Sequence, residues 1–212
     1  MDTEKVYGRV LIINGSPNEH GSTYTALSEV RDALISEGIE SEIVWVGREA
    51  VRGCVACRGC RTLGRCVFDD AVNTLAEKFR ESDGLIVGSP VYYASPNGTL
   101  LSILDRLFFS THFDKRMKVG AAVVSARRGG LTASFDVLNK YFAISEMPIA
   151  ASSYWNQIHG QSAEEAKEDK EGLQIMRTLG RNVAFLIKSI KLGMKEYSLP
   201  ESEPKVRTSF IR

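Results

Sequence analysis

The sequence predicts an α/β domain built on an open parallel sheet with helices on both faces. Three observations carry this. Short unbroken apolar runs recur, such as Val10-Leu11-Ile12-Ile13 and Leu85-Ile86-Val87, and runs of this kind suit strands buried on both faces. Segments with an apolar stripe at helical spacing lie between them. The strand–helix alternation repeats five times along the chain, which implies parallel strands joined by right-handed crossovers. At 212 residues the chain is expected to form one domain over 1–212, long enough to bury a core without staples.

The elements follow in order. Arg9–Asn14 is the first strand, closed by the turn residues Gly15-Ser16-Pro17. Ser22–Glu37 is a helix with Ala26, Leu27, Val30, Ala33 and Leu34 on one face, and Gly38 ends it. Ser41–Val46 is the second strand. Gly53–Cys66 is a cysteine-rich insertion. Asp69-Asp70 opens a helix to Glu81, where acids suit the helix dipole. Gly84–Val91 is the third strand, Asn97–Ser110 a helix, and Val119–Val124 the fourth strand. Gly130–Phe142 is helical, Pro148–Ser153 is a short fifth strand, and Ala163–Lys191 is one long last helix. The tail 198–212, with Pro200 and Pro204, is irregular.

Composition excludes some functions. Lys plus Arg is 27 against 26 for Asp plus Glu, a net charge of +1. That argues against a general nucleic-acid binder, which needs a dense basic surface. No apolar run approaches the ~18–20 residues of a membrane span. Met1–Tyr7 has no apolar core and does not read as a secretion signal, so the cytoplasm is the expected location. All four cysteines fall between Cys54 and Cys66. In a reducing compartment that clustering suggests metal or redox chemistry over disulfides.

Two doubly wound layouts compete, a dinucleotide-binding sheet and a flavodoxin-like sheet of order 2-1-3-4-5. The first loop, Gly15-Ser16-Pro17-Asn18-Glu19-His20-Gly21-Ser22-Thr23, decides between them. It lacks the Gly-x-Gly-x-x-Gly fingerprint and has no lysine for a triphosphate. It offers the hydroxyls of Ser16, Ser22 and Thr23 and the amide of Asn18 at a helix N-terminus. Neutral donors there suit one compact phosphate monoester, such as that of FMN. The plainer reading makes Ser22 a helix cap and Gly15-Ser16-Pro17 a turn.

The third strand ends Pro90-Val91-Tyr92-Tyr93. In the 2-1-3-4-5 order this loop opens onto the same crevice as the first. A flat isoalloxazine needs an aromatic or apolar wall with backbone donors at its polar edge. The fourth strand ends Ser125-Ala126-Arg127-Arg128-Gly129-Gly130. A cation or N–H donors there would stabilise an anionic reduced ring; two solvated arginines are the plainer reading.

The cysteines are spaced Cys54-x2-Cys57-x2-Cys60-x5-Cys66. This approximates the ferredoxin run that wraps a [4Fe–4S] cluster, with a longer last spacing and Val67 in place of proline. Structural zinc usually takes two separated Cys-x2-Cys knuckles. Reactive or vestigial free thiols and zinc stand as the other readings. Arg52, Arg58, Arg61 and Arg65 could lower thiol pKa values or form a solvated face. The segment leaves the second strand, ~4.8 Å from the first. That puts it on the rim of the phosphate loop, in reach of a flavin in this subunit or a partner.

Taken together, Ile13-Asn14-Gly15-Ser16-Pro17, Gly21-Ser22-Thr23, Asp83-Gly84, Gly88-Ser89-Pro90-Val91-Tyr92-Tyr93, Leu104-Asp105-Arg106, Tyr154-Trp155-Asn156, His159-Gly160 and Asp169 with Glu171-Gly172 resemble the NADPH-dependent FMN reductase and multimeric-flavodoxin group. The cysteines resemble those of its iron–sulfur flavoprotein branch. The resemblance spans roughly residues 9–190. It implies a flavodoxin-like fold, bound FMN, redox activity with NAD(P)H as donor, and a homodimer or homotetramer. Carried over, it places Ser16, Asn18, Ser22 and Thr23 at the phosphate. It places Pro90, Val91, Tyr92 and Tyr93 at the ring, with Ser125, Arg127 and Gly130 beside them. It implies that Cys54, Cys57, Cys60 and Cys66 hold one [4Fe–4S] cluster. His20 and Ser22 depart from the glycine and asparagine common in the group.

Other features are weaker. His20, His112 and His159 form no metal spacing. Asp105-Arg106 can pair within the chain or across a subunit interface. Trp155 can flank the cleft or pack at the sheet edge, and Lys167–Lys170 reads as a solvated helix face. The expected function is an FMN-binding oxidoreductase or electron-transfer protein working with a small-molecule or protein redox partner, possessing no catalytic triad. The alternative from another class is a flavin-free module that senses redox state or zinc through Cys54–Cys66.

Overall fold

The computed structural model describes residues 6–48 and 50–210. Residues 1–5 and 211–212 lie outside it, and with them most of Met1–Tyr7 and the end of the 198–212 tail. The strands are β1 (Gly8–Asn14), β2 (Ile39–Trp45), β3 (Gly84–Tyr92), β4 (Ser95–Pro96), β5 (Val119–Ala126) and β6 (Gln157–His159). The helices are α1 (Ser22–Ser36), α2 (Cys60–Leu63), α3 (Ala71–Glu81), α4 (Gly98–Ser110), α5 (Leu131–Ala143), α6 (Ala163–Glu168) and α7 (Lys170–Tyr197). The sheet runs β2-β1-β3-β5-β6, all parallel, with β4 folded back antiparallel on the end of β3. Set β4 aside and this is the expected 2-1-3-4-5 order.

Strand alternation divides the apolar residues between two cores. Val10, Ile12, Ile86, Ala121 and Val123 face α1 and α7, where Leu27, Val30, Leu34, Leu179 and Val183 complete one core. Leu11, Ile13, Leu85, Val87, Ala122 and Val124 face α3, α4 and α5, where Leu75, Phe79, Leu104, Leu107 and Phe142 complete the other. This double burial is why β1, β3 and β5 read as unbroken apolar runs.

Two expectations are corrected. The fifth parallel strand is Gln157–His159, whereas Pro148–Ser153 supplies only a bridge from Ile149 to Gly120. The chain touches β5 through the Gly120–Pro148 and Ala150–Gly120 backbone bonds, leaves it, and returns at the Val124–Asn156 bond. Asn156 holds that detour shut, its Nδ2 donating to the carbonyls of Ala122 and Ala150. The last helix is two. Asp169 breaks it at ψ 78° and its carboxylate accepts the N–H groups of Gly172 and His159. It thereby caps α7 and anchors β6 together. Asp70 and Asn97 likewise cap α3 and α4, accepting from Val72 and Leu100. Among the described residues no helix is long and apolar enough to cross a membrane.

The contact between α1 and α7 depends on Gly180. A Cβ there would lie 2.7 Å from Ala33 Cβ and 2.7 Å from the Val30 carbonyl oxygen, so neither side chain nor backbone can yield cheaply. Gly180→Val is expected to destabilise the fold by ~1–3 kcal/mol, as overpacking does. Chemical denaturation measures this, and an unchanged midpoint would contradict the packing described.

Candidate functional site

The order of the sheet creates a switch point. From β1 the chain goes to β2 on one side and then to β3 on the other, so the loops leaving β1 and β3 diverge and open a crevice at the carboxyl ends of the strands. A cleft of about 650 Å³ lies there. Ser16, Asn18, Ser22 and Thr23 line it from the first loop, Pro90, Val91 and Tyr92 from the end of β3, and Ser125 and Arg127 from the end of β5. Nine of the eleven expected cofactor residues thus share one cavity.

Tyr93 and Gly130 are not among its lining residues. Tyr93 and Ala94 have φ of 51° and 57°, a two-residue left-handed turn between β3 and β4, and the Tyr93 side chain is fully exposed. Gly130 stands behind the wall at φ 92°, where a Cβ would come within 2.9 Å of Ala94 Cα and 3.0 Å of Val91 Cγ1.

The first loop is held from below. Asn14 is fully buried; its Oδ1 accepts the Ser16 N–H at 3.1 Å and its Nδ2 donates to the Glu19 carbonyl at 2.9 Å. The Gly15 N–H donates to the Gly88 carbonyl at 2.8 Å, tying the ends of β1 and β3 together. Ser16 Oγ accepts the Asn18 N–H. Thr23 and Ser125, both buried, share a hydroxyl–hydroxyl bond of 2.7 Å that joins α1 to the end of β5. Ser22 is committed elsewhere: its hydroxyl bonds the carbonyls of Gly160 and Ser162 at 3.0 and 2.9 Å.

α1 begins at Gly21 and α5 at Gly130, each without a side-chain cap. The N–H groups of their first turns therefore need water or a ligand. The other three long helices, α3, α4 and α7, are capped by their own side chains.

Three contributions escaped the sequence reading. Trp45 Nε1 donates to the Ser16 carbonyl at 2.8 Å. Trp45 pairs with Asn14 in the β1–β2 register, so correct strand alignment would have flagged it. Arg48 Nε donates to the Pro17 carbonyl at 2.7 Å, and its Nη2 lies 3.4 Å from Asn18 Oδ1. This puts a cation on the cleft, and no sequence spacing announces it. The segment Gly160–Glu164 forms the far wall. Trp155 does not reach the cleft. It stacks edge-on against Tyr154 and lies with Phe135 and Ile149 in a separate hollow.

The four cysteines line a second, narrow hollow with Phe68, Arg106 and Phe109. Cys60 is buried and opens α2, Cys66 is half-buried, and Cys54 and Cys57 are exposed on the lip. Between them Ala56 and Arg58 have φ of 53° and 59°, and Gly59 returns to the right-handed region. Backbone of alternating hand is the kind that forms anion-binding nests, those of many iron–sulfur sites among them. The donor set is all thiol. Among the described residues no three His, Cys, Asp or Glu side chains, the cysteines included, gather to hold a metal ion.

Arg106 pairs within the chain, with Asp70 rather than across an interface. Burial would lower its guanidinium, but the bonds it donates to Asp70 and Cys66 carry it above the ordinary arginine value. Asp105 instead accepts the Tyr141 hydroxyl. Arg65 pairs with Asp69 at the surface, and Arg52 stacks on Phe68.

Comparison with known proteins agrees with this geometry. A family model, NADPH-dependent FMN reductase, matches residues 8–161. An iron-sulfur flavoprotein of Methanocaldococcus jannaschii is 32% identical over 191 residues, covering 86% of this chain and 99% of that one. An iron-sulfur flavoprotein of Methanosarcina thermophila is 28% identical over 183 residues, covering 84% and 95%. A solved structure of RosB with bound 8-demethyl-8-formylriboflavin-5'-phosphate superposes with a TM-score of 0.70 at 14% identity, covering 96% of this chain and 92% of that one. With a flavodoxin-like sheet and a family match over most of its length, the chain belongs to the NADPH-dependent FMN reductase family.

Proposed function

We propose that the chain is an FMN-dependent oxidoreductase that takes electrons from NAD(P)H or a reduced carrier and passes them on, with a [4Fe–4S] cluster in the cysteine hollow. One observation carries the flavin reading. Residues from the ends of β1, β3 and β5, chosen for a flavin by sequence, line one cleft at the switch point. Bound FMN supplies the hydride and single-electron chemistry. The chain's part is to bind and orient. The open N-terminus of α1, with Ser16 and Asn18, offers donors to a phosphate, and Arg48 adds the countercharge. Pro90, Val91 and Tyr92 form a wall against a flat ring, and Arg127 stands at its rim. No general acid or nucleophile is required of the protein.

The cluster reading rests on an all-thiol donor set and on the left-handed residues Ala56 and Arg58 set between Cys54 and Cys60. A cluster supplies one-electron capacity. The iron-sulfur flavoprotein names of the relatives support it. A homodimer or homotetramer in the cytoplasm completes the reading. Tyr93 stands fully exposed in the turn after β3, and Phe185 and Leu192 are exposed seven residues apart on α7, an apolar stripe suited to a second subunit.

The direct test is anaerobic purification with flavin, iron and sulfide assays. A yellow-brown protein with all three supports the reading; a colourless one overturns it and leaves the flavin-free sensor. Arg48→Ala is expected to weaken FMN binding about tenfold, ~1.4 kcal/mol, and to leave riboflavin binding unchanged. Flavin-fluorescence titration distinguishes them, and an equal loss for both ligands would remove Arg48 from the phosphate. Cys60→Ser should retain FMN and lose iron and sulfide. Unaltered iron content in that variant would sink the cluster assignment.

A further inference from the structure

We propose that Arg106 positions Cys66 and raises the reduction potential of the cluster, an inference that rests on the cluster reading above. Arg106 is only 1% exposed. It lies on α4, outside the cysteine segment. Its Nε and Nη2 point at Cys66 Sγ at 3.3 and 3.2 Å. Its Nη1 and Nη2 grip Asp70 at 2.6 and 2.9 Å. Among the described residues, Cys66 is the one cysteine whose sulfur receives a side-chain N–H.

An arginine–aspartate pair explains a buried guanidinium by itself, since the carboxylate offsets the cost of desolvating the cation. It does not explain why two donors are aimed at a sulfur. A thiol is a weak acceptor, and a thiolate is a strong one. The planar fork of arginine lets one edge serve Asp70 and the other serve Cys66, an arrangement a lysine cannot copy. Phe68 stacks on the guanidinium, its ring centroid 5.1 Å away, and keeps water from that side.

The direction of the effect follows from charge. Reduction adds an electron to the cluster and makes its sulfurs more negative. N–H donors and a cation beside Cys66 stabilise that form, so they raise the potential. Asp70 opposes them, because its carboxylate cancels part of the field of Arg106. Asp70 also caps α3, a role asparagine fills equally well. Asparagine at 70 therefore keeps the cap and an acceptor for Arg106, and removes the counter-charge at a cost in stability that denaturation measures separately.

The experiment uses the full chain, purified anaerobically, with iron and sulfide counted before the cluster potential is measured by an EPR-monitored titration. Arg106→Gln is expected to lower the potential by about tenfold in the ratio of reduced to oxidised cluster, ~59 mV for one electron. Asp70→Asn is expected to raise it, and the FMN potential should hold in both. A purely structural Arg106 would leave the potential where it is. A loaded cluster with an unmoved potential in Arg106→Gln overturns the inference and spares the cluster reading. Should Arg106→Gln fail to fold or to load, Asp70→Asn decides alone: a rise supports the inference, and no change or a fall overturns it. Wild-type protein without iron and sulfide overturns both.

Discussion

The close approach of β1 and β3 at their carboxyl ends is the constraint on which the cleft depends. Gly15 donates to the Gly88 carbonyl, and neither residue tolerates a side chain. A Cβ on Gly15 would meet Leu100 Cδ2 at 2.5 Å and the Gly88 carbonyl oxygen at 2.9 Å. A Cβ on Gly88 would strike Leu27 at 2.6 Å. Leu27 belongs to the core beneath α1, and Leu100 to the core beneath α4. The two glycines thus let both cores close up to the rim, and the loops above them are set at one spacing. Asn14, Trp45 and Arg48 then fix the first loop from the side.

A second constraint is electrostatic. The cysteine segment has little core of its own, and the exposed Cys54 and Cys57 sit on its lip. It is fastened through Cys60, buried at the start of α2, and through Asn73, which accepts the Cys66 N–H and donates to the carbonyls of Cys66 and Phe68. Arg106 adds bonds to the Arg52 and Phe68 carbonyls. One buried cation from α4 therefore gathers both ends of the insertion. The left-handed residues Ala56 and Arg58 cost ~1–3 kcal/mol each, and this fastening is what the structure sets against that cost.

Much of this was legible in the sequence, and the misses have physical causes. The central strands were plain because burial on both faces removes polar residues from them. The β3–β4 hairpin was not, because its turn is Tyr93-Ala94 in a conformation that Asn-Gly ordinarily announces. Pro148–Ser153 has the composition of a strand, yet the Asn156 side chain occupies carbonyls there and shifts the ladder to Gln157–His159. Asp169 sits in a helical stretch and reads as a solvated acid; its capping bonds are visible only in three dimensions. Ser22 could be placed at the loop by spacing. The direction of its hydroxyl, toward Gly160 and Ser162, depends on residues 138 and 140 positions away. Arg48 had no local signal at all.

The capping pattern connects fold to site. The helices whose N-termini lie away from the cleft, α3, α4 and α7, close their own first turns with Asp70, Asn97 and Asp169. α1, whose first residues Ser22 and Thr23 line the cleft, starts at Gly21 without such a cap, and so does α5, which starts at Gly130 behind the cleft wall. A side-chain cap on α1 would bring an oxygen acceptor, and in the case of aspartate a negative charge, to the edge of the cleft. Serine or threonine hydroxyls inside the cleft are acceptable because they donate as well as accept. The same logic explains why Thr23 and Ser125 can be buried together: each satisfies the other, and neither brings charge. Stability withheld from the first turn of α1 is thus the physical counterpart of backbone donors left open at the edge of the cleft.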